Sequence, residues 1–181
     1  MARPPRDTAS GVFHVYTHSV WAADVLFRDD ADREKFLAEL EIATAKTDWS
    51  CIAYCLMGTH YHLLLAVGDG ALPKGMHSLN FKYARWFNWR HGMQGHVHGR
   101  RYDASRVMND ADLLWRYRYV VRNPVEAGLC SSAADWPWSS YAATIGLAAA
   151  KPFVDDGPLW ACLKGSRPWA VSWLRDFVEN T

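Results

Sequence analysis

Trp49-Ser50-Cys51-Ile52-Ala53-Tyr54-Cys55-Leu56-Met57 and His60-Tyr61-His62-Leu63-Leu64-Leu65-Ala66-Val67 are two apolar, β-rich runs separated only by Gly58-Thr59. So short a turn between runs of that composition predicts an antiparallel pair of strands. Upstream, Val12–His18 is rich in β-formers and reads as a strand. Phe36, Leu37, Leu40 and Ala43 then recur at helical spacing behind Asp29, Asp30 and Asp32. Negative charge favours a helix N-terminus, so a helix is expected over roughly 31–46. Downstream, Gly68, Gly70 and Pro73 form a loop. Met76, Leu79, Tyr83, Trp86 and Phe87 give a second helix ending before Gly92. A strand is expected late in 96–108, and a third helix from Ala111 to about Asn123, closed by Pro124 and Gly128. The order β-α-β-β-α-β, then helix, predicts an α+β ferredoxin-like sandwich: an antiparallel sheet with helices on one face and the other face available for a site. Gly146 to Ala150 reads as a linker. Residues 168–179 suit a last helix with Val171, Leu174 and Phe177/Val178 on one face. The expected division is a domain over 1–145, with the tyrosine-bearing third helix in it, and a C-terminal helical extension over 146–181.

The chain has 181 residues, half of them hydrophobic and 22% charged, which excludes global disorder. No run approaches the apolar length of a membrane helix, and no apolar segment follows Arg3 and Arg6 as in a secretory signal. Four cysteines are too few for a disulfide scaffold, and none forms a CxxC pair. A reducing cytoplasm is the simplest home. Cys51 and Cys55 read as core thiols.

The formal net charge of +1 hides an asymmetry. Residues 74–122 hold ten basic side chains against three acidic ones, net +7. They include Lys82, Arg85, Arg90, Arg100, Arg101, Arg118 and Arg122, interleaved with Tyr83, Trp86, Trp89, Tyr102, Trp115 and Tyr119. Cations that track phosphates and rings that stack on unpaired bases suit single-stranded nucleic acid. A solvated basic face on two helices is the competing reading.

Three local arrangements could carry chemistry. On a strand, residues i and i+2 point to one side, so His60 and His62 project together at a separation one metal ion can bridge. Two imidazoles are an incomplete site; the pair is either a metal half-site or two histidines without a ligand. His96-Val97-His98 is a second such pair, bounded by Gly95 and Gly99 beside Arg100 and Arg101, and reads as a basic loop that contacts phosphate or is incidental. On the third helix, with Tyr117 at zero, Leu113, Leu114, Val120 and Val121 fall within about 60° of it, which buries Tyr117. Tyr119 falls about 200° round, with Trp115, Arg122 and Asn123 on its side of the helix. It is either a reactive phenol or a surface tyrosine against a loop. His14 and His18 read as core or edge histidines, His77 and His91 as surface helix residues, and Asp110 and Asp112 as caps of the third helix.

Several segments together resemble a known family. They are Phe27-Arg28-Asp29-Asp30 with Asp32-Arg33-Glu34-Lys35-Phe36-Leu37; Ala53-Tyr54-Cys55-Leu56-Met57 running into His60-Tyr61-His62-Leu63-Leu64; Tyr83-Ala84-Arg85-Trp86-Phe87-Asn88; Gly95-His96 with Arg101-Tyr102; Arg118-Tyr119-Val120-Val121-Arg122-Asn123-Pro124-Val125-Glu126-Ala127-Gly128-Leu129; and Trp136-Pro137-Trp138-Ser139-Ser140-Tyr141. In this order, over about residues 11–145, the chain resembles the REP-associated tyrosine transposases of the single-tyrosine HUH (His-hydrophobe-His) group. The resemblance implies a single-strand DNA nuclease and strand transferase acting on hairpin-forming DNA, with a divalent metal, Mg2+ or Mn2+, on His60 and His62. It implies Tyr119 as the nucleophile that forms a 5′-phosphotyrosine, and Asn123 as a third, helix-borne metal ligand. Arg118, Arg122 and the metal would help the phenol shed its proton, and the oligomeric state is open between monomer and homodimer. The chain departs from the family pattern at Gly58-Thr59, where Pro-Asn is usual, at His18-Ser19-Val20-Trp21, which lacks an arginine-glycine, and at Arg100, where a glycine is usual, with His98 in place of an aromatic. These departures motivate an alternative: a nucleic-acid-binding module that keeps the fold without the chemistry. A third reading is a metal phosphodiesterase that hydrolyses with no covalent step.

Overall fold

The computed structural model describes residues 8–19, 25–99 and 101–180, with His18 described by its backbone alone. The elements run β1 (Gly11–His18), α1 (Asp30–Lys46), β2 (Trp49–Leu56), β3 (His60–Val67), α2 (Ala71–His91), β4 (Asp103–Arg106) and α3 (Asp110–Glu126). A 3-10 turn (Ala133–Asp135) and three more helices follow: α4 (Tyr141–Thr144), α5 (Gly157–Ala161) and α6 (Arg167–Glu179). The sheet order is β2-β3-β1-β4, with every neighbouring pair antiparallel. The Gly58-Thr59 turn therefore joins adjacent strands, while α1 carries the chain from β1 past the place that β3 later fills.

The two sheet faces carry separate cores. Phe13 and Val15 of β1, Tyr61, Leu63 and Leu65 of β3, and Cys51 and Tyr54 of β2 face α1 and α2, where Phe36, Leu40, Leu79, Tyr83 and Phe87 meet them. The close approach of α2 to the sheet depends on Gly75, because a Cβ there would lie 2.2 Å from the Trp49 indole. Gly92 ends α2 at φ +62°, a left-handed conformation that favours glycine.

α1 and α2 thus share one face, as expected. The opposite face is not left wholly open. Ile52, Ala53, Cys55 and Leu64 pack there against Leu113, Tyr117, Val120 and Val121 of α3, and Leu159, Leu174 and Val178 of the C-terminal helices join them. This second layer covers Ile52, Ala53 and Cys55 of β2 and Leu64 of β3. A register shift between Cys51 and Ala53 rotates part of β2, so Cys51 and Cys55 lie on opposite faces, both buried. Burial raises the Cys51 thiol to about 12, as befits an inert core cysteine. The outer edge of β2 is covered: Leu56 N–H donates to the Trp138 carbonyl, Ser140 N–H to the Tyr54 carbonyl, and the Trp136 indole to the Leu56 carbonyl.

α3 differs from expectation at both ends. Its N-cap is Asn109, not Asp110 or Asp112: the Asn109 side chain accepts from Asp112 N–H, and Asp112 accepts in return from Met108 N–H. Pro124 does not end the helix but sits inside its last turn. Among the described residues no helix is long and apolar enough to cross a membrane.

Candidate functional site

The site lies on the sheet face that α3 only partly covers. Strand alternation sends His60 and His62 of β3 to that face, together with His14 and Tyr16 of β1, because Tyr16 pairs with His62 and His14 with Leu64 in the register. His62 is 3% exposed and its Nδ1 lies 2.9 Å from Nε2 of His14. The two rings stack with centroids 5.1 Å apart and planes 23° from parallel. His60 lies edge-on to His62 at 5.1 Å, and its Nδ1 meets the Thr59 hydroxyl at 3.0 Å. Thr59 therefore fills the departure from the usual turn with a polar partner for His60. Burial, with the positive charge of Arg116 adding to it, lowers the His14 pKa to about 4, so this imidazole is neutral at physiological pH.

α3 delivers Tyr119 to the same place. The helix buries Leu113, Tyr117, Val120 and Val121, which turns Tyr119 outward, 55% exposed against 0% for Tyr117. The Tyr119 ring is not a loose surface group. It stands edge-on to both His62 and His14, at 5.4 and 5.5 Å between centroids. One turn on, the Asn123 side-chain nitrogen donates to the Tyr119 carbonyl at 2.7 Å and reaches the Val120 carbonyl at 3.4 Å. The Asn-Pro pair explains this. Pro124 has no N–H for the Val120 carbonyl four residues back, and the Asn123 amide takes over part of that role. With Nδ2 turned to the backbone, Oδ1 is the amide's acceptor for a ligand.

The donor chemistry suits a divalent cation. Both histidines of β3 have Nδ1 engaged by a protein group, the arrangement in which metal-ligating imidazoles present Nε2. Among the described residues no three His, Cys, Asp or Glu side chains form a metal-ligating group. An amide such as that of Asn123, a water or a substrate phosphate can complete the coordination that two imidazoles leave open.

The basic residues of α2 are not gathered around Tyr119. Lys82, Arg85 and Arg90 lie on α2, across the sheet from it. Lys82 is 3.9 Å from Glu39, and Arg85 is exposed. Arg90 is engaged: it forks onto Asp29 at 2.7 and 2.8 Å and reaches the fully buried Asp32, which also accepts from Arg28 N–H and faces His91 Nε2 at 2.9 Å. His91 is therefore not a plain surface residue; it helps tie the start of α1 to the end of α2. The hydrogen bond from Arg90 holds the Asp29 carboxyl down at about 2. Arg118 donates to the carbonyls of Phe177 and Asn180, and Arg122, 7% exposed, to those of Val178 and Glu179 and to the Glu126 carboxylate. Both guanidiniums bind the C-terminal end of α6 to α3, where cations complement the helix dipole. Arg101 is exposed; Arg100 lies outside the described residues, as does most of the His18–Trp21 departure.

The second histidine pair does not behave as one. His96 is exposed. His98 is not a loop group open to phosphate: its backbone bridges to Ser19, its ring lies 6.2 Å from Tyr83 and 6.5 Å from Tyr61, and burial lowers its pKa to about 4. The sequence reads His14 as a core or edge histidine, and it is buried at 6% exposed, but its place against His62 is not in that reading. Alternation puts His14 and Tyr16 on one face of β1, and only the pairing of β1 with β3 makes it the face of His60 and His62.

Residues 11–123 match the family model described as "Transposase IS200 like". The comparison with curated proteins gives no match. Among solved structures, that of a REP-associated tyrosine transposase bound to a REP hairpin superposes with a TM-score of 0.69 at 15% identity, covering 86% of this chain and 94% of the other.

Proposed function

From the premise that the chain belongs to the IS200-like transposase family, we propose that it is a single-strand DNA endonuclease and strand transferase acting on hairpin-forming DNA through a covalent bond to Tyr119. The observation that supports this most is the setting of the phenol: more than half exposed, yet held edge-on to His62 and His14 and one helical turn from Asn123. A tyrosine kept accessible by one helix face and oriented by rings from two strands suits attack on a bulky, chain-like substrate.

In this reading the Tyr119 oxygen forms a bond to a DNA phosphorus as the phenol proton leaves to solvent. The bond from that phosphorus to the 3′ oxygen breaks, and the departing strand end takes up a proton as a 3′-hydroxyl. The protein then carries a 5′-phosphotyrosine, and a second 3′-hydroxyl reverses the step to join a new strand. A divalent cation held by His60, His62 and Asn123 would offset negative charge on the phosphate. Thr59 and His14 hold the two imidazoles, while the Asn123 amide is held by the backbone of its own helix. Lys82, Arg85 and Arg101 are the candidates for phosphate contacts along the bound strand, with Arg100 as the neighbour of the last. Arg90, Arg118 and Arg122 contribute through the architecture they tie together.

The test is incubation with Mn2+ or Mg2+ and a hairpin-bearing single strand, followed by mass spectrometry of the protein. A 5′-phosphate adduct on Tyr119 is the expected result. Hairpin binding with neither nicking nor adduct would leave a binding module, and nicking with no adduct would leave a hydrolytic phosphodiesterase.

A further inference from the structure

We infer that His14 is a positioning residue that fixes the tautomer and ring orientation of His62. The inference rests on reading His62 as a metal ligand. A neutral imidazole carries one proton on two nitrogens, and the nitrogen that ligates a cation must hold the lone pair. His62 Nδ1 faces His14 Nε2 at 2.9 Å, so a single proton lies between them. If it belonged to His14, His62 would accept through Nδ1 and carry its own proton on Nε2, where no cation could bind. If it belongs to His62, Nε2 is left with the lone pair. His14 Nε2 is then the acceptor, and its proton sits on Nδ1.

The surroundings make this contact a fixed one. His14 is 6% exposed and sits in the middle of β1, with strands paired on both sides. Its ring is stacked on His62, and Tyr119 closes the edge of both. Neither imidazole can turn over without displacing the other or the phenol. Ligating histidines commonly pair this nitrogen with a carboxylate or a carbonyl. An imidazole acceptor does the same orienting work with no added negative charge. A bound cation would then keep more of its charge to act on an anionic phosphate than it would with a carboxylate behind the ligand.

The tautomer can be read without DNA, metal or activity. Nitrogen-15 NMR of the imidazoles in metal-free protein at mildly alkaline pH should show His62 protonated on Nδ1 and bare on Nε2. His14→Gln keeps a carbonyl acceptor and should preserve that signature, with Mn2+ affinity within a few-fold of the parent. His14→Leu keeps the apolar packing and loses the acceptor. It should give a mixed or reversed His62 tautomer and weaken Mn2+ binding by about 10- to 100-fold. A parent protein with His62 protonated on Nε2 overturns the inference. So does His14→Leu with the parent tautomer and the parent Mn2+ affinity, or His14→Gln failing as badly as His14→Leu. A parent protein with the expected tautomer that binds no Mn2+ would sink the metal reading of the site while upholding the tautomer assignment.

Discussion

Tyr119 meets His62 edge-on, ring centroids 5.4 Å apart and planes 84° from parallel, though one is carried by α3 and the other by β3. The contact exists because α3 docks its opposite face, through Tyr117, Val120 and Val121, onto the same side of the sheet. The buried tyrosine two residues away is what aims the exposed one.

That division of labour separates the two tyrosines by experiment. Tyr119→Phe keeps the ring and removes only the hydroxyl of a half-exposed side chain, so stability should change by less than about 0.5 kcal/mol. Covalent adduct and strand cleavage should both vanish. Tyr117→Ala should cost about 3–5 kcal/mol in denaturant unfolding, the range for emptying a buried aromatic position. An adduct that persists in Tyr119→Phe refutes the assignment of the nucleophile.

His60→Ala and His62→Ala should each abolish metal-dependent nicking in a protein that still folds, whereas His96→Ala should leave the cleavage rate within a few-fold. The contrast follows from the placement of the first two on a central strand, ring to ring, and of His96 on the surface. Nicking assays with circular dichroism on the same samples decide it; a strong cleavage defect in His96→Ala alone would move the site.

Cations on the surface and cations in the scaffold should fail differently. Lys82→Ala, Arg85→Ala and Arg101→Ala should weaken single-strand binding, each lowering the slope of log affinity against log salt by about 0.7 if it neutralises one phosphate. Arg122→Ala removes a buried guanidinium that satisfies the last carbonyls of α6. It should cost about 1.5–3 kcal/mol of stability, the range for hydrogen bonds made by a charged group. Salt titrations by fluorescence anisotropy and urea unfolding measure the two effects; an unchanged unfolding midpoint in Arg122→Ala contradicts the structural role.

Acid should loosen the fold through His98. Burial holds its pKa at about 4 in the folded chain, below the ordinary histidine value near 6.5. The unfolded chain then binds the proton more readily, so this group's contribution is fully present above about pH 6.5 and is lost as the pH falls toward 4. The loss is on the order of 3 kcal/mol. His98→Leu should reduce the slope of the stability profile across that window, with the likewise depressed His14 supplying the remainder; an unchanged slope from pH 6.5 to 4 would show that His98 does not contribute to it.

Much of this arrangement was legible in the linear pattern. The paired runs around Gly58-Thr59 set the hairpin, strand alternation put His60 and His62 on one side, and helical spacing turned Tyr117 in and Tyr119 out. These are properties of local periodicity, which the chain carries in itself. What only the tertiary structure decided was which faces meet. His14 becomes the partner of His62 because β1 pairs between β3 and β4, and no spacing in the sequence encodes that register. Arg118 and Arg122 read as free cations until α6 returns and presents its terminal carbonyls to them. Arg90 is claimed by Asp29 and Asp32 from the start of another helix, and His98 is drawn under Tyr83 rather than left in solvent. A charged or polar side chain's role depends on the donor or acceptor nearest in space, and long-range packing, not local pattern, brings that neighbour into place.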